Sequence, residues 1–377
     1  MNQTRAVLFL PDEASCEGVV RPLMLQSVLF CPLLTWVGKT LMARSIQRFF
    51  VVWDKEEYAA ELRGCFPAEA DVLVSGSREA LMDFLSQEGE VEVFPCEMLP
   101  LQLPGGSCYA YTAQASALRE SWREGSGGAV PGARELTGFT AVYDLPRLRE
   151  MELSCRDEIV RRHAAAGVHI LDGSSVYIDP RVEIGAGTVV LPGTILRGET
   201  TIGRDCEIGP NAMIRDCTVG DGTTVNASQA NESTIGSRVK VGPFAYIRPG
   251  CVIGDDIKVG DFVEVKNSVI GDGTKISHLT YVGDSDVGQK VNFGCGTVTT
   301  NYDGFKKYRC TIGDRAFIGC NTNLIAPVTV GEGAYTAAGS TITDEVPADA
   351  LAVARARQKN LEGWAARRRA LHAEKKD

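Results

Sequence analysis

Long apolar runs are missing from this chain. Its most apolar window, residues 22–38 (PLMLQSVLFCPLLTWVG), holds two prolines and the polar Gln26 and Ser27, and it is short for a membrane span; it reads as a buried core segment. An excess of positive charge is missing too: 48 acidic against 39 basic residues leave a net charge of −9, which gives nucleic acid no electrostatic reason to bind. The twelve cysteines contain no Cys-x-x-Cys pair and suggest no framework of bridges, so free thiols in a reducing cytoplasm are expected. No secretory leader is expected either, because Arg5 precedes only a brief apolar run that ends at Pro11-Asp12-Glu13. Histidine is scarce, with 4 in 377 residues.

What is present is a ladder. Over residues 176–346 an aliphatic residue returns about every six positions: Ile178, Ile184, Val190, Leu196, Ile202, Ile208, Ile214, Val219 and Val225, and again from Ile235 to Ile342. Thr299 and Thr336 are the polar rungs, and glycine often follows a rung directly, as in Ile184-Gly185 and Ile318-Gly319. Glycine suits a place where the backbone takes a positive φ or approaches a neighbour closely. A period of six with that glycine predicts a parallel β-helix. Three hexads make one triangular coil, with strands stacked about 4.8 Å apart and every rung pointing into one narrow core.

The first part of the chain alternates strand-like runs (6–10, 49–53, 72–75, 91–95) with helical ones (near 33–47, from Glu56, from Arg78). That order predicts a small α/β domain with a mostly parallel sheet. A loop is expected at 125–134 (GSGGAVPGAR), then a charged helix over 145–166 and a basic end piece from Arg355 onward. The expected division is therefore 1–144 for the α/β domain, 145–175 for a linking helical region, 176–346 for the β-helix and 347–377 for the tail.

Function in a solenoid concentrates where a coil departs from its own rule, and three departures fall in the second half. The position after the rung is Arg248 after Ile247 and Lys266 after Val265, 18 residues and so one coil apart. Two stacked cations suit a phosphate, and arginine can bind two of its oxygens. His278, two places after Ile276, is the only histidine of the repeats. A lone histidine cannot assemble the several ligands a zinc site needs, but it can serve as a general base. Stacked above it, the same hexad position is Cys295, Cys320 and Ala338, a column of small residues that would leave a shallow groove for a long thin arm such as pantetheine, or pack closely against another subunit. The third departure is the insertion after Thr299, which carries Asn301, Tyr302, Lys306 and Lys307, a rigid-scaffold loop of the kind that contacts substrate or partner.

The motifs IRPG at 247–250, VEVKNS at 263–268, SHLTYVGD at 277–284, VNFGCGTVTTNYDG at 291–304, APVTVG at 326–331 and RARQKNLEGW at 355–364 resemble the acetyltransferase domain of the bacterial bifunctional enzymes that acetylate glucosamine 1-phosphate and then uridylylate the product. The resemblance implies a left-handed β-helix, a cytoplasmic homotrimer with sites between subunits, acetyl-CoA as co-substrate and no metal for acetyl transfer. It implies His278 as general base supported by Glu264. It assigns the sugar phosphate to Arg248, Lys266, Tyr281, Asn292, Asn301, Tyr302 and Lys307, and coenzyme A to Cys295, Cys320, Ala338 and Arg355. Cys295 and Cys320 stand where alanine and serine are usual.

The first half departs further from that family. Where a glycine-rich phosphate loop is expected, residues 6–23 contain only Gly18 and carry Asp12, Glu13 and Glu17. Where a metal-binding aspartate is expected the chain reads Phe94-Pro95-Cys96-Glu97-Met98. Acetyl transfer without uridylyl transfer is the resulting expectation. Its rivals are transfer to another amino-sugar phosphate or nucleotide, full bifunctionality, and a non-catalytic trimeric scaffold.

Overall fold

The structure, a computed structural model, describes residues 4–10, 21–123 and 129–373. Most of the departing segment 6–23, residues 11–20, and the first part of the loop expected at 125–134 lie outside the described residues.

The first unit is a six-stranded sheet in the order Asp71–Ser75, Arg48–Val52, Arg5–Phe9, Glu90–Phe94, Tyr111–Gln114, Arg134–Glu135. Its first four strands are parallel and its last two antiparallel. Helix Leu33–Ala43 begins within the apolar window 22–38, whose Leu23, Met24, Leu25, Leu33, Leu34, Trp36 and Val37 are all buried. That window is core, as its prolines and polar residues required.

A 21-residue helix, Leu145–Ala165, connects this sheet to the rest. Asp144 caps it by accepting a 2.7 Å hydrogen bond from the Arg147 backbone N–H, which satisfies one of the otherwise unpaired first-turn donors. Its buried residues are Leu148, Met151, Cys155, Ile159 and His163, spaced so that they form one stripe. Burial, with Arg162 beside it, pushes the His163 imidazole down to about 4, so this histidine packs as a neutral ring.

The remainder is a parallel β-helix of three faces. The first face runs from His169–Ile170 to Leu351–Ala352 in 11 strands, the second from Tyr177–Ile178 to Thr341–Ile342 in 10, and the third from Glu183–Ile184 to Val328–Val330 in 9. Each strand is short because only its rung faces inward. A fully buried Ile, Val or Leu rung is worth about 1.5–3 kcal/mol, and the stack repeats that gain coil by coil. Within 176–346 the sequence ladder missed Ala230, which is fully buried and pairs with Ile214 below and Ile247 above, and the stack also extends past that span to the rungs Ile170 and Ala352. The small side chain of Ala230 hid it from a search for branched aliphatics.

Among the described residues most post-rung glycines are explained by proximity, and only Gly209 and Gly242, with φ of 108° and 97°, also take a positive φ. At Gly313 an added Cβ would stand 2.6 Å from the Glu332 nitrogen and 2.9 Å from the Gly331 carbonyl carbon, atoms that cannot swing away. The polar rungs are satisfied within the core. Thr299 Oγ1 accepts from the Gly283 N–H at 2.7 Å and donates to the Gly283 carbonyl at 3.1 Å, and Thr336 Oγ1 accepts from the Gly319 N–H at 3.0 Å. Thr299→Val makes the ladder more uniformly apolar, yet it is expected to lower stability by about 1–3 kcal/mol, because a buried N–H loses its acceptor. Chemical denaturation of the two proteins checks this; an unchanged or raised midpoint would mean the hydroxyl is dispensable.

Candidate active site

The insertion after Thr299 is extruded without disturbing the stack. Strand Ser285–Val287 pairs in register with Cys310–Ile312, and the chain between projects as a small hairpin closed by a Tyr302 to Lys307 bridge. Asp303 Oδ1 accepts from the Phe305 and Lys306 N–H groups at 2.8 Å each. Arg309 pins the hairpin's base by pairing with Asp286 and donating to the Asn267 and Ser285 carbonyls at 3.0 Å. Of the expected contact residues on this hairpin, Tyr302 is exposed and donates its hydroxyl to the Gly304 carbonyl at 2.6 Å.

Two corners of the solenoid gather the candidate residues. Between the first and second faces, Ile276 is stacked on Val259, and Phe293, Ile318 and Thr336 follow above. The residues two places after these rungs are Asp261, His278, Cys295, Cys320 and Ala338, so the column expected from the sequence is real in register. Arg355 lies at its upper end, its Cδ 3.7 Å from where a Cβ on Gly339 would stand. The Asp261 carboxylate is 2.6 Å from His278 Nδ1, and the hydrogen bond from His278 holds that carboxyl below the usual aspartate range. An ionised carboxylate can only accept. Nδ1 therefore carries the proton, which leaves Nε2 as the basic nitrogen on a half-exposed ring.

Glu264, expected as the support of His278, has a different partner: its Oε1 accepts from Arg248 Nη1 at 2.7 Å. The carboxylate on the histidine is Asp261, which sequence reading passed over although it occupies the same hexad position one coil below.

The corner between the second and third faces gathers the cations. Arg248 and Lys266 follow the paired rungs Ile247 and Val265. Lys307 of the hairpin is set against Lys266, and the proximity of that ammonium, with Arg248 also near, holds Lys307 below its ordinary value. Lys266 is itself 3.3 Å from Asp284, a buried carboxylate that also accepts from the side-chain amides of Asn267 and Asn301. Burial pushes Asp284 up, but these hydrogen bonds and Lys266 outweigh it and leave the carboxyl below its usual range. Asn301 further reaches the Tyr281 hydroxyl at 3.3 Å. Lys266 and Lys307 thus lie near the buried Asp284 while Arg248 pairs with Glu264, so three cations gather around two carboxylates. Asp284, Asn267 and Arg309 were not singled out from the sequence, since each is an ordinary corner residue until the loop folds against it.

The two corners are separated by the width of the second face, three residues or about 10 Å of strand, and that face presents Glu264 and Tyr281 outward as register partners. Asn292 stands apart, on the outer side of the first face between Lys275 and Phe317. Among the described residues no cluster of three or more His, Cys, Asp or Glu side chains is arranged to hold a metal, and no helix is long and apolar enough to cross a membrane.

Comparison with known proteins bears on this geometry. Residues 171–261 match the family model of the GMPPB C-terminal domain, and residues 309–344 match the bacterial transferase hexapeptide model (six repeats). The chain is 52% identical over 242 residues to the bifunctional protein GlmU of Geobacillus sp. (strain WCH70), covering 63% of this chain and 53% of that protein. It is 54% identical over 246 residues to the bifunctional protein GlmU of Acetivibrio thermocellus, covering 65% and 53%. The resemblance stated from the motifs therefore holds, while the chain spans about half the length of the curated relatives it matches. Among solved structures, an Arabidopsis UDP-N-acetylglucosamine acyltransferase aligns at 18% identity with a TM-score of 0.35, over 54% of this chain and 73% of that one.

Proposed function

We propose that this chain is an acetyl-CoA-dependent N-acetyltransferase acting on glucosamine 1-phosphate, in the route to UDP-N-acetylglucosamine, and that it has lost uridylyl transfer. The observation that carries the reading is the pair of corners: a histidine with one free basic nitrogen on one edge, and three cations converging on the next. In the reaction, the acceptor amine attacks the thioester carbonyl while His278 Nε2 takes its proton. Backbone N–H groups hold the resulting oxyanion. Collapse expels the coenzyme thiolate, which the His278 imidazolium can reprotonate, so no acyl-enzyme and no metal enter. Arg248, Lys266 and Lys307 hold the phosphate, while Tyr281, Asn301 and Tyr302 border the sugar. The column Cys295, Cys320, Ala338, with Arg355 above it, receives the coenzyme.

A homotrimer with sites between subunits belongs to the same proposal, and would bring Asn292 to a neighbour's site. Exposed apolar side chains support it. Phe244 and Phe262 stack with ring centroids 5.5 Å apart at the corner that carries His278, and Phe317 and Tyr335 stack at 5.2 Å on the first face. All four are at least 40% exposed in the single chain, a pattern that fits an interaction surface better than a free one. The α/β unit, residues 1–144 in the proposed division, is then a remnant joined through 145–175 to the catalytic solenoid.

The test is one reaction mixture: thiol release from acetyl-CoA with glucosamine 1-phosphate, followed by addition of UTP and magnesium while pyrophosphate is monitored. Thiol without pyrophosphate is the expected result. Pyrophosphate would restore the bifunctional reading, and no thiol would shift the acceptor to another amino-sugar phosphate or leave a scaffold.

A further inference from the structure

Cysteine occupies two successive steps of the column above His278, and the stacking places the pair in register. Phe293 pairs with Ile318, so Cys295 and Cys320 are the same hexad position on neighbouring coils. The Asn321 N–H donates to the Cys295 carbonyl at 2.8 Å, and the site of a Cβ on Gly294 is 2.8 Å from the Cys320 Cα. Neighbouring coils are about 4.8 Å apart, inside the span of about 4.4–6.8 Å over which two Cα atoms accept a disulfide.

Access and engagement together separate these two from the other described thiols, since Cys96 and Cys108 are half-buried like Cys295. Cys320 is exposed and Cys295 half-buried. By contrast Cys31, Cys65, Cys155, Cys206, Cys217, Cys251 and Cys310 are buried, and burial pushes Cys31 and Cys155 up to about 12 and Cys217 and Cys310 up to about 11. Cys96 is pushed up to about 11 for the same reason, and Cys108 is engaged as a donor to the Leu136 carbonyl at 3.1 Å. Thiolate availability and access decide which cysteines react.

We propose that Cys295 and Cys320 form a dithiol that closes to an intramolecular disulfide on meeting a low-molecular-weight disulfide, and that the closed form obstructs the edge next to His278. The Cys320 thiolate attacks one sulfur of the small disulfide and expels one thiol. The Cys295 thiolate then attacks the Cys320 sulfur of the mixed disulfide and expels the second. Both cysteine protons end on the two departing thiols, and excess thiol reverses the sequence. The bridge stands across the column above His278, where two separate side chains could part around a thin acyl-carrying arm. This consequence for catalysis rests on the acetyl-transfer reading, whereas the disulfide does not.

The experiment exposes the full-length protein to oxidised glutathione, alkylates remaining thiols, digests with trypsin and follows acetyl transfer in parallel. A cross-link between peptides 291–306 and 316–355 is expected, with activity falling about tenfold or more and recovering on reduction with dithiothreitol. Cys320→Ser and Cys295→Ala should each lack the cross-link and keep, after oxidant, the activity each had when reduced. Glutathione on either cysteine without a cross-link, or no modification, would overturn the dithiol. A cross-link with undiminished acetyl transfer would overturn the obstruction. A cross-link in a protein that acetylates nothing in either state would leave the dithiol standing and remove the proposed function.

Discussion

Replacing His278 with alanine is expected to lower the rate of acetyl transfer by about a hundredfold to ten-thousandfold, the range over which a positioned general base accelerates proton transfer. Direct binding of acetyl-CoA should stay nearly unchanged, because the column proposed for the coenzyme begins one coil above the histidine and consists of other side chains. Asp261→Asn supplies the companion measurement. The amide can accept from Nδ1–H or donate to Nδ1, so the ring is no longer restricted to the tautomer with a basic Nε2. Turnover should fall by a smaller factor than in His278→Ala, with coenzyme affinity retained and the pH profile of kcat altered. Unchanged turnover in His278→Ala would remove the histidine from the base role. An unaltered pH profile in Asp261→Asn would reduce the 2.6 Å contact to a surface pairing of little consequence, which is the common fate of exposed ion pairs.

The second large effect is expected at the cationic corner. Arg248→Ala should lower kcat/KM for glucosamine 1-phosphate by about 10- to 100-fold, corresponding to one charge-assisted contact of roughly 1.5–3 kcal/mol. Rates with unphosphorylated glucosamine should move little, since the phosphate is the group that arginine would hold. The ratio of the two substrates is therefore the quantity to follow; an equal loss on both would assign Arg248 to the support of Glu264 rather than to the acceptor. Lys266 is a less clean probe, because its removal also strips a partner from the buried Asp284. In the native protein that carboxylate is depressed, so its contribution to stability is present at neutral pH and is lost as pH falls through its folded-state value.

Much of this could be read without coordinates, for reasons that lie in the period of the chain. A six-residue repeat of aliphatics leaves few solutions for burying one side chain per strand, so the faces and the stacking of His278, Cys295, Cys320 and Ala338 followed from counting, as did Arg248 on Lys266. The count failed at Ala230, where a small rung gave no apolar signal, and stopped short of the end rungs Ile170 and Ala352. The helix Leu145–Ala165 and the mostly parallel first sheet were similarly legible, since their hydrophobic spacing has one dominant reading.

What counting along one chain could not reach was contact between side chains of different corners. The carboxylate hydrogen-bonded to His278 is Asp261, whereas Glu264 pairs with Arg248, and neither pairing is written in spacing: both acids are within one coil of the histidine, and rotamer and corner geometry decide which meets it. Asp284 became the hub of the cationic corner only because the hairpin after Thr299 folds back and brings Asn301 and Lys307 to it. The post-rung glycines carried two meanings in the sequence, a positive φ or a close approach, and at Gly313 the backbone of the next coil settles it in favour of approach. Periodicity determined the scaffold because one core must be filled at every step; the tertiary structure decided the site because long polar side chains choose among several neighbours that the scaffold places within reach.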